Sequence, residues 1–239
     1  MSHKKITLKR LIERSIPLEL EVAIHPVSNG IIILNYPGIG ADADGYNNKY
    51  GKIADFLQEK NIGTVIRIGN RDFDEDDDFF GLPYPETMID NFKHLIDYSL
   101  DNAEDLCGNI NPKLYLMGFS AGAGVVASLA NYHPSIEKLL LIAPAEDAGR
   151  EVIKKGLEKF TGEVYITVGM GDTVVFPEAG KRFYDWAKNA KVRKVEYVPY
   201  CDHQFKGENN GRILSKAPLW AFARDTTFPS PENGKILYD

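Results

Sequence analysis

Lys113-Leu114-Tyr115-Leu116-Met117-Gly118-Phe119-Ser120-Ala121-Gly122-Ala123-Gly124-Val125-Val126 is the stretch on which the reading of this chain turns. Its first half is an apolar run of strand length, its second half a run of small residues suited to a helix. Gly-x-Ser-x-Gly lies at the junction. Between a strand and a helix that pentapeptide marks a sharp turn that lifts a serine hydroxyl above a sheet. Gly118 and Gly122 flank Ser120 because the turn leaves no room for a Cβ at either place. Ser120 is expected in a sparsely populated backbone conformation, with strain of about 1–3 kcal/mol sustained by the packing around it. Whether the serine has a chemical role depends on an acid and a histidine following it in suitable places.

Outward from this stretch, the pattern alternates. Continuous apolar runs at 31–34 and 139–142, with 64–68, 164–168 and 195–198, read as strands of which the first two are buried on both faces. Helices are expected over 47–60, where Tyr50, Ile53, Ala54 and Leu57 share a face, and over 87–107, with Thr87 and Asp90 as a capping pair. Further helices are expected from Ala121 to near 132–134, over 148–160, over 178–190 and over 212–224. Residues 8–14 and 18–25 read as an antiparallel hairpin around Pro17, and the tail 226–239 as an extension along the surface. Strand–helix alternation from Ile31 to Val198 predicts an α/β fold with a mainly parallel central sheet covered by helices on both faces. No linker or composition shift divides residues 1–239, so one domain is expected.

Composition excludes several classes. Of the 239 residues 44% are hydrophobic and 26% charged, ordinary values for a globular domain. No apolar run approaches the roughly 20 residues that span a bilayer, and the N-terminal stretch lacks the apolar core of a signal peptide. Cys107 and Cys201 form neither a disulfide framework nor a metal-ligand spacing, so reduced thiols and a cytoplasmic setting are expected. The net charge of −6 arises largely from Asp72, Asp74, Glu75, Asp76, Asp77 and Asp78. No basic footprint for nucleic acid exists. The acidic run reads first as a solvated loop and second as a rim favouring cationic substrates or weakly holding a divalent ion.

In an open α/β sheet, working residues collect where strands end at their carboxyl side. There the sequence places Pro37-Gly38-Ile39-Gly40, then Ser120, then Gly169-Met170-Gly171-Asp172, then Cys201-Asp202-His203. Gly118-Phe119-Ser120-Ala121-Gly122, Gly171-Asp172-Thr173-Val174-Val175-Phe176-Pro177 and Asp202-His203-Gln204-Phe205, in that order, resemble the α/β-hydrolase superfamily over nearly the whole chain. The resemblance implies a serine hydrolase with Ser120 as nucleophile, His203 as general base and acid, and Asp172 orienting the imidazole. It also implies an oxyanion hole from the backbone N–H groups of Ala121 and Ile39. Pro37 departs from the family there, standing where a histidine is usual. The roles suit the residue types: a serine hydroxyl needs a base to take its proton during attack, and histidine accepts and returns one near neutral pH. A carboxylate on the other ring nitrogen fixes the tautomer.

Glu146 and Asp147 also follow a strand and are alternative acids. His133 reads as structural, His25 and His94 receive no role, and Cys201 reads as a packed thiol rather than a second nucleophile. Ile39, Tyr46, Tyr84 and Phe119 are candidate substrate contacts. The segment between 142 and 164 holds barely one helix, where the family commonly inserts a cap, so a small or open site is expected. The reading that results is a hydrolase of small soluble carboxylic esters or thioesters working through an acyl-enzyme, without cofactor or metal, on a small-molecule substrate. Acyl transfer or amide cleavage on the same residues, and a non-catalytic binding protein that keeps the fold, are the alternatives.

Overall fold

The computed structural model describes residues 3–11, 17–70 and 84–238. Its frame is one sheet of eight strands: β1 (Lys4–Leu11), β2 (Pro17–His25), β3 (Ile31–Tyr36), β4 (Thr64–Ile68), β5 (Lys113–Phe119), β6 (Ile136–Ile142), β7 (Glu163–Gly169) and β8 (Val192–Val198). Their spatial order is β1-β2-β4-β3-β5-β6-β7-β8. β2 runs antiparallel to both its neighbours, while β3 to β8 are mutually parallel. The chain builds outward from β3 in one direction to β4, then returns to start β5 on its other side. That reversal opens a crevice at the carboxyl ends of β3 and β5, where an open sheet binds its ligands.

The helices are α1 (Lys49–Glu59), α2 (Tyr84–Asp101), α3 (Ala103–Cys107), α4 (Ala121–Ser128), α5 (Arg150–Lys159), α6 (Glu178–Trp186) and α7 (Glu208–Ala223). Successive strand residues point to opposite faces. Ile32, Leu34, Leu116, Leu139, Leu141 and Ile166 thus pack against α2 to α6. Ile33, Tyr115, Met117, Leu140 and Tyr165 pack against α1 and α7. Because both faces are covered, the central strands are mostly apolar, with Asn35, Arg67 and Thr167 as buried exceptions. Among the described residues no helix is long and apolar enough to cross a membrane.

Several expectations need correction. The first strand lies at Lys4–Leu11, earlier than 8–14, and residue 14 falls outside the described residues. The helix expected over 87–107 begins at Tyr84, so Thr87 lies inside its first turn rather than at its start. Pro85 is tolerated there because the first turn of a helix has no partner for its N–H. That helix also breaks at Asn102, whose side-chain amide donates to the Tyr98 carbonyl at 2.8 Å, and α3 ends on Gly108 at φ 73°. α4 stops at Ser128; the chain then tightens through Ala130 N to Ala127 O at 3.3 Å and Tyr132 N to Leu129 O at 2.9 Å. The tail does more than follow the surface. Phe228 stacks on Trp220 at 4.6 Å and Leu237 is wholly buried, so the tail completes the α1–α7 side of the core.

Candidate active site

The turn at Ser120 has φ 55° and ψ −123°, the strained geometry expected of it. Its neighbours hold it there. Ser120 N–H donates to the Ile142 carbonyl at 2.9 Å, and the Ser120 carbonyl accepts from Ala123 and Ala145 N–H at 3.0 and 3.1 Å. A Cβ on Gly122 would stand 2.3 Å from the carbonyl oxygens of both Tyr36 and Pro37. A Cβ on Gly118 would stand 2.5 Å from Ala123 Cα. The two glycines therefore let α4 start directly over β5 and against the loop after β3.

That loop is fixed by Asn70, at the end of β4. Its amide donates to the Pro37 carbonyl at 3.3 Å, its backbone N–H to the Ala41 carbonyl at 2.7 Å, and its Oδ1 accepts from Tyr36 Oη at 3.2 Å. Gly38 then lies so near the turn that its Cβ would be 3.3 Å from Ser120 Cβ. Ile39 follows, exposed and facing the crevice. Ala121 is the first residue of α4, a position whose N–H has no intrahelical acceptor.

Asp172 follows β7 and His203 follows β8, both buried. Gly171 N–H donates to the Cys201 carbonyl at 2.9 Å, and Met170 N–H to the Val198 carbonyl at 2.9 Å, pinning one loop to the other. Asp172 Oδ1 accepts from Val174 and Val175 N–H at 2.8 and 3.0 Å. This leaves Oδ2 for His203 Nδ1, at 2.8 Å. His203 Nε2 stands 3.0 Å from Ser120 Oγ. Four loops separated by up to 165 residues in sequence numbering, from Gly38 to His203, thus meet at one point. The linkage runs carboxylate, imidazole, hydroxyl without a gap.

Glu146 does not join it: its Oε1 accepts from Arg182 Nε at 2.8 Å, and Asp147 is exposed nearby. His133 Nδ1 accepts from Ser135 N–H at 3.1 Å, closing a turn. His25 is not without partners, since Arg67 Nε lies 3.2 Å from its Nε2 and Asp55 3.1 Å from its Nδ1. Burial, with Arg67 beside it, lowers its pKa to about 4. Cys201 is buried and its thiol is pushed up to about 12 by that burial, so it is no thiolate at neutral pH.

The crevice extends to both sides of Ser120. On the α1 side a cleft of 560 Å³ is lined by Ile39, Tyr46, Lys49, Phe119, His203 and Gln204, among others. On the α5–α6 side a second cleft, of 450 Å³, is lined by Ile39, Ala145, Glu146, Arg150, Val174 and Arg182. Only α5 spans the interval between β6 and β7, so no cap covers Ser120 from there. Tyr46 and Phe119 both line the α1-side cleft, and Phe119 meets the His203 ring edge-on at 5.4 Å. The Tyr84 side chain and the acidic run 72–78 lie outside the described residues.

Three residues to which the sequence assigned no role bear on this cleft. Lys49, at the start of α1, is 3% exposed, with Nζ 3.0 Å from Gln204 Oε1 and 4.1 Å from the centre of the Phe119 ring. Gln204 is the second, and its backbone carbonyl accepts from the third, Tyr238 Oη, at 2.7 Å. The tail therefore braces the loop that presents His203. Lys49 had one sequence signal: with Ile53 and Phe56 it recurs at i, i+4, i+7 on the buried stripe of α1.

No protein-family model and no curated protein matches the sequence. Solved structures do match the fold. Est1E from Butyrivibrio proteoclasticus superposes with a TM-score of 0.64 at 16% identity, over 88% of this chain and 95% of that one. The Paleococcus ferrophilus monoacylglycerol lipase gives 0.67 at 15% identity, over 87% of this chain and 100% of that one. An alpha-beta serine hydrolase homologue from Coxiella burnetii gives 0.61 at 17% identity, over 90% of this chain and 94% of that one. The chain has the fold these proteins share, the α/β-hydrolase fold.

Proposed function

We propose that this α/β-hydrolase-fold chain is a serine hydrolase that cleaves small carboxylic esters or thioesters. The observation that carries the reading is the unbroken linkage from Asp172 through His203 to Ser120 Oγ. Ser120 Oγ attacks the carbonyl carbon while its proton passes to His203 Nε2. Asp172 accepts from Nδ1–H and stabilises the imidazolium so formed. The carbonyl oxygen, now negative, takes hydrogen bonds from the N–H groups of Ala121 and Ile39, a term worth about 3–4 kcal/mol per donor in such sites. Collapse of the tetrahedral adduct breaks the bond to the alcohol or thiol, which leaves with the proton from His203. Water then repeats the sequence on the acyl-enzyme, with His203 again as base, and releases the carboxylic acid.

The two clefts meeting at Ser120 give separate room to the acyl part and the leaving group, with Tyr46 and Phe119 as substrate contacts. The names of the similar structures, an esterase and a lipase among them, agree with ester chemistry. A fluorophosphonate probe tests the reading: it should label the wild type and leave Ser120→Ala unlabelled, with p-nitrophenyl butyrate hydrolysis lost in the same variant. Labelling that persists in the alanine variant overturns it.

A further inference from the structure

Ester cleavage at Ser120 makes no use of the ammonium group on the α1 side of the crevice. Buried lysines ordinarily sit against a carboxylate, because an uncompensated charge away from water is among the costliest arrangements in a folded chain. Two other buried lysines here obey that rule. Lys138 lies 3.5 Å from Glu163 and Lys216 lies 3.5 Å from Asp225. Lys49 does not: among the described residues no carboxylate is within ion-pairing distance of its Nζ.

Its direct contacts are neutral. Gln204 Oε1 takes one of three N–H donors at 3.0 Å, and the faces of Phe119 and Tyr50 lie 4.1 and 5.1 Å away. The charged groups that act on it are Asp202 and Lys206 from the loop after β8, with opposing effects, and Asp202 Oδ1 already accepts from Lys206 N–H at 2.9 Å. Asp42, on the cleft lining, turns its Oδ1 to the N–H groups of Asp44 and Gly45. Burial lowers the Lys49 pKa to about 8, which leaves the group mainly protonated at neutral pH. The Phe119 ring meets both the ammonium and the imidazole of His203. The cation thus lines the cleft that ends at Ser120 and still has donors to offer.

We propose that Lys49 recognises an anion, and that the ester cleaved at Ser120 carries a carboxylate on the part that occupies the α1-side cleft. This rests on the serine-hydrolase reading of the site. The carboxylate completes the ion pair that the fold leaves open, and Gln204 holds the ammonium in place for it. Specificity follows from the cost of the alternative: a neutral ester leaves the buried ammonium uncompensated.

Two pairs of esters test this, each differing by a carboxylate in place of a methyl group. Mono-p-nitrophenyl succinate is compared with p-nitrophenyl butyrate for the acyl part, and 4-carboxyphenyl butyrate with 4-methylphenyl butyrate for the leaving group. In the wild type at least one carboxylate ester should exceed its neutral partner in kcat/KM by about tenfold or more, carried by KM, as a charged hydrogen bond supplies. Lys49→Met should lower that ratio by about the same factor. A wild type that favours the neutral ester in both pairs overturns the proposal, whether or not the variant folds. So does a ratio unchanged by Lys49→Met, the result expected if Lys49 only props Phe119. Calorimetric binding of the same esters to Ser120→Ala separates this idea from the one beneath it. Carboxylate-selective binding that depends on Lys49 would stand even if no ester were turned over.

Discussion

Replacing Lys49 by Met asks whether the buried ammonium serves the fold. Met has nearly the length of the lysine stem, and its apolar end suits Phe119 and Tyr50. An unfolded lysine titrates at 10.5 and the folded one at about 8. Holding the charge at pH 7 therefore costs the native state about 3 kcal/mol. Against that gain, the variant gives up the contact with the Phe119 face, worth about 0.5–2 kcal/mol, while the partly exposed Gln204 amide turns to water. Lys49→Met should be more stable than the wild type by roughly 1–2 kcal/mol at pH 7. The folded pKa lies below the unfolded one, so between pH 8 and 10.5 the unfolded chain binds the extra proton and wild-type stability rises with pH. The advantage of the variant should shrink over that window and reverse near its upper end. Urea unfolding of both proteins at pH 7 and pH 10, with equal m-values, measures it. A variant less stable at pH 7, or a difference that does not move with pH, refutes the reasoning and makes Lys49 a structural residue.

Three further outcomes follow from the geometry. Asp172→Asn keeps a side chain of the same shape but frees His203 to adopt the wrong tautomer, and should lower kcat by about 10⁴-fold in steady-state assays. Gly122→Ala drives a methyl group into the carbonyl oxygens of Tyr36 and Pro37, backbone that cannot turn aside. It should cost at least about 1–3 kcal/mol, seen as a Tm lowered by several degrees, and should separate α4 from the loop bearing Ile39. Acidification should destabilise the fold through His25, whose folded pKa of about 4 lies below its unfolded 6.5. Between those values the unfolded chain takes up the proton first. Stability should fall by up to about 3 kcal/mol across the window, and a pH series of urea midpoints should show a shallower fall in His25→Leu.

Much of the fold was legible in the sequence because the information is local. Buried parallel strands are apolar on both faces, so 31–34 and 139–142 read as strands without any knowledge of their partners. The turn at Ser120 needs Gly118 and Gly122 within five residues, and Asp172 and His203 each follow a strand by a few positions. Chain order alone then predicts which side chains converge. Boundaries were less legible where a single residue marks them, as at Asn102, where one expected helix parts into α2 and α3.

The sequence by itself determined the alternating architecture, the strained serine turn and the order of serine, aspartate and histidine along the chain, since periodicity and turn chemistry act over a few residues. The tertiary structure decided the rest. It selected Asp172 over Glu146 to face His203, brought Asn70 under the Pro37 loop, and brought Tyr238 from the tail to the His203 loop. It also enclosed Lys49, an unremarkable lysine in an amphipathic helix, with Phe119 from the end of β5 and Gln204 from the loop after β8. The character of a cleft is set by which distant loops close around it, and no local pattern records that choice.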